Sequence, residues 1–256
     1  MIITPELAEI SGMFAADGSL QEEHICMWGN ITEDREYYDT IVCPLFSKVF
    51  NKKVIAHEKK SNSVYGFYIC DKEIIKIFKE LGFSRNKTYT VKTPKQILEG
   101  GKEIQKAFIR GFADGDGCFS LMIRKGKYSE FKRKFNTYPR ISINVISQTI
   151  INEISSMLNE LKIKHTKYVS KSYKPNEKDQ YKIMIRGPER TEDWMNQIGF
   201  SNPAQITRYL IWKRFGICPP KTTLEQRKLI LQEKLDPFSL YNTIRPRQDL
   251  NLRPTA

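Results

Sequence analysis

Two acids carry the chemistry that can be read directly from this sequence. Asp17 and Asp116 each close an apolar segment and are each followed by glycine, in Ile10-Ser11-Gly12-Met13-Phe14-Ala15-Ala16-Asp17-Gly18 and in Ile109-Arg110-Gly111-Phe112-Ala113-Asp114-Gly115-Asp116-Gly117. In each segment small residues stand four apart, Gly12 with Ala16 and Gly111 with Gly115. That spacing is about one helical turn, so the small residues share a face against which a second backbone can press. Glycine costs a helix roughly 0.5–1 kcal/mol relative to alanine, so its use here implies that close approach is needed. The natural partner of each helix is the other copy. Parallel packing brings Asp17 and Asp116 together at the C-terminal ends, with Gly18 and Gly117 expected to turn the chain left-handed. Without a cation that is unfavourable, because the helix dipole disfavours an anion there by about 0.3–1 kcal/mol and the carboxylates repel. A divalent cation reverses the sign. Hard oxygen ligands suit Mg²⁺, which takes one or two carboxylates and leaves its other positions to water and phosphate oxygens. The implied chemistry is metal-assisted phosphodiester cleavage.

The elements that must hold these acids are expected twice. Thr4-Pro5 reads as a cap opening a helix to residue 16. It is followed by a strand over 24–31, a helix over 33–50, strands over 53–58 and 64–70, and an amphipathic helix over 71–81. After a basic link over 87–101 the order returns: a helix over 102–113, strands over 118–124 and 140–146, a helix over 149–161, strands over 165–172 and 180–186, and a helix over 189–198. The ending Leu81-Gly82-Phe83-Ser84 is echoed by Ile198-Gly199-Phe200-Ser201. The echo lies 117 residues on and the acids 99, so the second half is longer by about eighteen residues, assigned to the stretch 125–139. The expected division is a first repeat over 1–86, a linker over 87–101, a second repeat over 102–216 and a C-terminal extension over 217–256.

The two segments resemble the signature helices of the LAGLIDADG homing endonucleases in their single-chain, two-motif form. The second copy matches over 109–117, and the first, over 10–18, departs at Ala15, where Asp114 stands in the second. The resemblance implies an α+β (mixed α/β) fold, a pseudo-twofold duplication of an α-β-β-α-β-β-α unit whose antiparallel sheets form a DNA-binding saddle. It implies a monomer that cuts both strands of a long asymmetric duplex across a minor groove, leaving short 3′ overhangs. Asp17 and Asp116 become the catalytic, metal-binding acids, with Ala16 and Gly115 beside them as further metal ligands. The implied cofactor is Mg²⁺, with Mn²⁺ able to substitute and Ca²⁺ permitting binding without cleavage. Gln148, in Ile146-Ser147-Gln148, resembles a water-ordering glutamine, with Asn30 as its counterpart, and Lys87 resembles an active-site lysine. The plainer readings are a Gln148 that caps the next helix and a Lys87 that touches only backbone phosphate.

Composition agrees with a polyanionic partner. The chain of 256 residues has 42 Lys and Arg against 29 Asp and Glu, a formal charge of +13 and a pI near 9.4. Lys125, Lys127, Lys132, Arg133, Lys134 and Arg140 alternate with Tyr128, Phe131, Phe135 and Tyr138, and are expected to form a two-stranded ribbon for the DNA major groove. Lys53, Lys59, Lys60, Arg124, Lys167, Lys171 and Lys182 complete the expected phosphate contacts. Residues 204–215, and a helix opened by the capping box Thr222-Thr223-Leu224-Glu225 and running to about 234, read as braces. Arg245, Arg247 and Arg253 read as a flexible basic end.

Other chemistries find less support. Five cysteines, odd in number and without Cys-x-x-Cys, are expected to be reduced core thiols of an intracellular protein. The three histidines lack zinc-ligand spacing. Asp114-Gly115-Asp116-Gly117 begins like a calcium loop, but Cys118 stands where an oxygen ligand is required. Gly100-Gly101-Lys102 lacks the rest of a phosphate-binding loop. A serine or cysteine nucleophile with a histidine base stays open at this level, although nothing places such groups together. No apolar stretch is long enough for a membrane span and no basic-then-apolar leader is present, so no membrane partner is expected. With neither a leading cysteine or serine nor a terminal His-Asn, the chain reads as free-standing and intron-encoded, with its host intron RNA as a second partner. The alternatives are an RNA-binding intron maturase and a non-cleaving DNA-binding regulator. Both explain the charge, and neither requires two acids at helix ends.

Overall fold

The computed structural model describes residues 2–85, 90–124, 129–172 and 178–244, and leaves out the side chains of Lys60, Arg133, Asn242, Thr243 and Ile244. Thr4 opens the first helix as its composition dictates: Oγ1 accepts the Leu7 N–H at 3.2 Å and Pro5 takes the first turn, so α1 runs Pro5–Asp17. It leads into β1 (Gly18–Leu20) and β2 (Ile25–Asn30). A continuous helical stretch follows, composed of α2 (Arg35–Tyr37), a π turn (Tyr38–Val42) and α3 (Cys43–Phe50). Pro44 cannot donate to the ladder, and the wider turn just before it, with the Cys43 N–H on the Tyr38 carbonyl, lets the helix continue. Next come β3 (His57–Lys59), β4 (Val64–Ile69) and α4 (Lys72–Glu80).

After the short α5 (Lys95–Leu98), the order starts again with α6 (Lys102–Asp116) and β5 (Gly117–Met122). A short helix, α7 (Glu130–Lys134), interrupts it before β6 (Tyr138–Val145), α8 (Gln148–Glu160), β7 (Thr166–Ser170), β8 (Gln180–Arg186) and α9 (Pro188–Gln197). Helices α10 (Pro203–Phe215), α11 (Leu224–Leu231) and α12 (Pro237–Ile244) follow. The two four-stranded sheets have the same order, β1-β2-β4-β3 and β5-β6-β8-β7, and their paired strands are antiparallel, for example Met27 opposite Phe67 and Ile143 opposite Ile183. The α+β duplication expected from the sequence is therefore present.

By packing, the chain divides into two compact units. The first holds both repeats, Met1–Ser120 with Pro139–Ile206, and the second holds Leu121–Tyr138 with Thr207–Ala256. In the first unit the earlier repeat fills its interior with aromatic rings: Phe14 lies 4.2 Å from Phe78 and 5.0 Å from Phe83, and Phe46 lies 5.0 Å from Phe67. The later repeat leans more on aliphatic chains, among them Ile141, Ile143, Ile151, Ile154, Leu158 and Ile185, beside the buried Phe108, Phe112, Phe119 and Trp194. The second unit has its own core of Ile211, Cys218 and Ile230, flanked by Leu121, Phe215 and Leu240.

Several sequence expectations are corrected. Gly18 and Gly117 are extended, with φ −76° and −95°, not left-handed. Glycine is needed there for space, since a Cβ would fall 2.2 Å from the Phe14 ring or 2.3 Å from the Ala113 carbonyl oxygen. The strand expected over 53–58 is confined to His57–Lys59, because the Val54 N–H goes to Ser47 Oγ at 2.9 Å instead of to a ladder. The basic insertion is not a ribbon throughout: its described part contains α7, whose Phe131 and Phe135 rings pack 5.0 Å apart and lie 6.3 and 5.5 Å from Phe238. The capping box of α11 is Thr223 with Gln226, one residue later than expected, because Thr222 Oγ1 donates to the Pro219 carbonyl. All five cysteines are free thiols, but only Cys43 and Cys218 are buried, and Cys70 is exposed. Burial pushes the Cys43 and Cys218 thiols up to about 11, which keeps them protonated and unreactive. No helix among the described residues is long and apolar enough to cross a membrane.

Candidate active site

Helices α1 and α6 run parallel along a seam made by their glycines. A methyl group at Gly12 would sit 2.1 Å from the Phe108 carbonyl oxygen, and one at Gly111 would sit 2.1 Å from the Glu9 carbonyl oxygen. One turn further on, a methyl at Gly115 would sit 2.7 Å from Ala16 Cβ and 2.5 Å from Asp17 Oδ2. The small-residue stripe read from the sequence, Gly12, Ala16, Gly111 and Gly115, is thus the helix interface. It carries the Asp17 carboxylate onto the residue that precedes Asp116, so the two acids share one end of the helix pair. Asp17 is exposed and Asp116 half-buried, as groups that meet a ligand must be.

The donor set at this end suits a hard cation. It consists of carboxylates and helix-terminal carbonyls, all oxygen. Tyr38 stands close by, with its hydroxyl buried and without a hydrogen-bond partner. Burial, and then the charges of Asp17 and Asp34, push its pKa well above the usual phenol value. An orphaned donor in a native interior commonly marks a place for water or an ion. Among the described residues no cluster of three or more His, Cys, Asp and Glu side chains could hold a metal. The site therefore fits an ion that keeps much of its coordination in water and substrate oxygens, as Mg²⁺ does, and not one caged by protein.

Asp114, which the sequence reading left without a role, lies beneath this end. It is 3% exposed and accepts the Ser201 N–H on both carboxylate oxygens and the Asn202 N–H on Oδ1, each at 3.0 Å. The Tyr37 hydroxyl donates to Oδ2 at 3.4 Å, and Asn202 Nδ2 donates to the Asp114 carbonyl at 3.3 Å. Burial pushes the Asp114 carboxyl up to about 7 against the lowering effect of those N–H groups. One turn earlier Arg110 grips Glu9 across the seam with Nε at 2.9 Å and Nη2 at 2.5 Å, and Ser201 Oγ donates to the same Glu9 at 2.8 Å. The signal available in the sequence was an acid at position 114 where the first copy has Ala15.

Two of the remaining catalytic candidates, Asn30 and Gln148, are among the described residues. Asn30 ends β2, and its Oδ1 accepts the Thr32 and Glu33 N–H groups at 2.9 and 3.0 Å, so its side-chain oxygen holds a turn. Gln148 is the exposed first residue of α8, and the cap is Ser147, not Gln148. Lys87, Lys125 and Lys127 lie outside the described residues. The Ser155 and His165 side chains do meet, at 2.7 Å, but Ser155 is buried in α8, which makes the pair a structural hydrogen bond.

The outer faces of the sheets gather groups that nucleic acids favour. On the first, Trp28 lies 5.2 Å from His57, His57 lies 5.6 Å from Tyr68, and Lys59 Nζ lies 5.7 Å from the Trp28 ring. On the second, Arg140 stands directly opposite Arg186, and Lys182 is paired with both Asn144 and Tyr168. Like charges directly opposite on a sheet repel, and a polyanion offsets that repulsion. Sequence reading missed Tyr68 and Arg186, which alternate like ordinary strand residues. Lys167 belongs to the other face, opposite Ile183, and donates to Asn152 on α8 at 2.7 Å. Lys53 and Lys171 are exposed outside the strands, Lys132 and Lys134 are exposed on α7, and Arg124 lies over the Tyr138 ring at 4.8 Å. Lys60 and Arg133 have no described side chain.

Fold and site together define a duplicated α+β protein whose paired signature helices present two acids between two sheets' worth of basic and aromatic surface. Residues 103–199 match the model of a LAGLIDADG-like domain. The first motif, residues 10–18, stands in front of that domain and repeats the pattern of its opening helix. Its fold is similar to that of the LAGLIDADG homing endonuclease I-LtrWI bound to target DNA, with a TM-score of 0.57 at 13% identity over 94% of this chain and 98% of that one. It is also similar to I-DmoI in complex with DNA and Mn, with a TM-score of 0.50 at 14% identity over 76% of this chain and 96% of that one. The replication factor C small subunit of Methanocaldococcus jannaschii is 24% identical over 205 residues, 80% of this chain and 10% of that protein. The chain spans about a tenth of the length of the curated relatives it matches.

Proposed function

We propose that the protein is a site-specific endonuclease that cuts both strands of duplex DNA at the end of the α1/α6 helix pair. The observation that carries this reading is the glycine seam, which sets the Asp17 carboxylate against Gly115 and so beside Asp116. A fold has no use for two acids at two helix C-termini, where the dipoles oppose them. Asp17 and Asp116 would hold divalent cations, with the neighbouring backbone of Ala16 and Gly115 as further oxygen donors. When bound, such an ion lowers the pKa of water and neutralises phosphate charge. The helix pair positions the two carboxylates against each other, and the Asp114 and Glu9–Arg110 bonds keep that end from shifting. Trp28, His57, Tyr68 and Lys59 on one sheet, and Arg140, Arg186 and Lys182 on the other, bind the duplex through phosphate and base edges. The related folds solved with DNA and Mn support a divalent ion in this role, and Mg²⁺ is the one its oxygen donors suit.

The test is a cleavage screen of the full chain on a duplex library containing the junction of its own gene's empty insertion site, with Mg²⁺ and with chelator. Discrete double-strand cuts at one sequence are expected, abolished by chelation and by Asp116→Asn while duplex binding persists. A library left intact at every salt concentration, or cut equally well by Asp116→Asn, overturns the reading. A protein that shifts only structured RNA turns it toward RNA binding.

A further inference from the structure

The net charge of this protein is concentrated in the unit that lies outside the repeats. Among the described residues the second unit, Leu121–Tyr138 with Thr207–Ala256, has 11 Lys and Arg against 4 Asp and Glu, a net +7. The described part of the unit that holds both repeats' helix pair has 24 against 23. We infer that the second unit is a separate grip on the phosphate backbone of duplex DNA, adding sequence-independent affinity to what the sheets read. This rests on the duplex-DNA reading above and names a second surface for it.

Three observations support it. The charge is at the surface: among the described residues Arg124, Lys132, Lys134, Lys213, Lys221 and Lys234 are exposed. Arg227 is the exception, fully buried with Nε on Thr207 Oγ1 at 3.0 Å and Nη1 on the Thr222 carbonyl, and it serves the core. The basic insertion and the C-terminal helices, far apart in sequence, fold as one body. Phe135 packs 5.0 Å from Tyr241, Trp212 Nε1 donates to the Thr137 carbonyl at 3.0 Å, and Tyr241 donates to the Cys218 carbonyl at 3.0 Å. Finally, clustering so much like charge in a small body destabilises it by self-repulsion, which a brace has no need to bear and a polyanion relieves.

The experiment is titration of the full chain onto a random-sequence duplex in chelator, over a salt series. It compares the parent with Lys132→Gln, Lys134→Gln, Lys213→Gln and Lys234→Gln combined, after thermal melting shows the variant folded. The slope of log affinity against log salt is expected to shrink by about 0.9 for each phosphate no longer neutralised, roughly two to four of them here, with affinity lower by about ten- to a hundredfold at low salt. An unchanged slope overturns the proposal, as does a slope that falls on structured RNA and not on the duplex. Because no metal is present, loss of this grip and failure of the nuclease reading are separable: a protein that grips duplex with the steep slope yet never cuts sinks only the nuclease.

Discussion

The two repeats reach one topology with different interiors and different chemistry at the shared seam. The earlier one stacks Phe14, Phe46, Phe67, Phe78 and Phe83, and the later one buries more isoleucine, leucine and methionine beside Phe108, Phe112, Phe119 and Trp194. At equivalent helix positions Ala15 is a buried apolar residue, whereas Asp114 is a buried carboxylate held by the Ser201 and Asn202 N–H groups and the Tyr37 hydroxyl. The strand order and the Gly82 and Gly199 helix ends, both with positive φ, survive that divergence. Topology thus depends on where apolar and small residues fall, and not on which apolar residues they are. The buried carboxylate below the acids belongs to the second half alone, although Tyr37 and Glu9 of the first half join its network, which makes the site pseudo-symmetric in backbone and asymmetric in support.

The largest test of that asymmetry is to remove the acids singly. A bound ion is worth several kcal/mol to a phosphodiester transition state, so Asp17→Asn and Asp116→Asn should each slow cleavage about a thousandfold. Both strands should suffer in both variants, because the acids converge at one helix end. Single-turnover assays with each strand labelled separately check this. Nicking of one strand at the parental rate would show that the asymmetry extends to the chemistry and would break the picture of a shared site.

Asp114 gives the next effect, and its sign follows from its raised pKa. An acid pushed up to about 7 in the fold, from an ordinary value of 3.8, is held most comfortably when protonated. Its contribution is complete below about pH 4, is lost as pH rises toward 7, and is constant above that. The full span is up to about 4 kcal/mol at 1.36 kcal/mol per unit. Asp114→Asn keeps the acceptor for the Ser201 and Asn202 N–H groups without the charge. Urea denaturation in chelator should show the variant gaining on the parent between pH 4 and 7, with parallel curves above. A constant difference across that range would mean that the carboxylate is solvated and that the two halves are more alike than their burial indicates. Ala15→Asp, lacking those donors, should lose stability over the same window.

How much of this was legible in the sequence depends on the reach of the interactions involved. The seam and its acids were readable because glycine spacing and the closing Asp-Gly are local and occur twice. Strand 180–186 was readable from alternation and matches β8 residue for residue. Asp114 was not, since its partners Ser201 and Tyr37 lie 87 and 77 residues away. The helix inside the basic insertion was missed because Phe131 and Phe135, spaced one turn apart, find Phe238 and Tyr241 only after folding. Tyr68 and Arg186 became visible as a surface once the strand register showed which residues share the outer face. The π turn before Pro44 escaped because a proline inside a helical pattern reads equally as a break.

The seam itself should be symmetric. Gly12→Ala and Gly111→Ala each force a methyl to 2.1 Å from a carbonyl oxygen of the opposite helix, and backbone cannot yield as a side chain can. Each should cost about 3 kcal/mol, which is about 6–12 °C in melting temperature for a chain of this size. Gly115→Ala meets Asp17 Oδ2 at 2.5 Å, which can rotate away, and Ala16 Cβ at 2.7 Å, which cannot, so it should cost less stability than a 2.1 Å clash with a carbonyl oxygen, and more activity. Thermal melts beside cleavage rates separate the two. Equal stability losses at all three glycines would mean that the acid end is packed as tightly as the middle.

The smallest effects should be equal in the two halves and lie at the opposite ends of the same helices. Glu6 and Glu103 each occupy a first helical turn, where the dipole favours an anion, and each meets a lysine: Lys48 with Glu6 at 3.0 Å, and Lys106 with Glu103 at 2.7 Å. The lysine bond and the helix N-terminus hold the Glu6 carboxyl below its usual range. Such exposed pairs are worth no more than about 1 kcal/mol and weaken with salt. Glu6→Gln and Glu103→Gln should therefore shift the melting temperature by a few degrees at most, by the same amount, and less in high salt. A clearly larger loss at Glu103 would extend the difference between the repeats along the whole helix, whereas matched small losses confine it to the end where Asp114 holds the second acid in place.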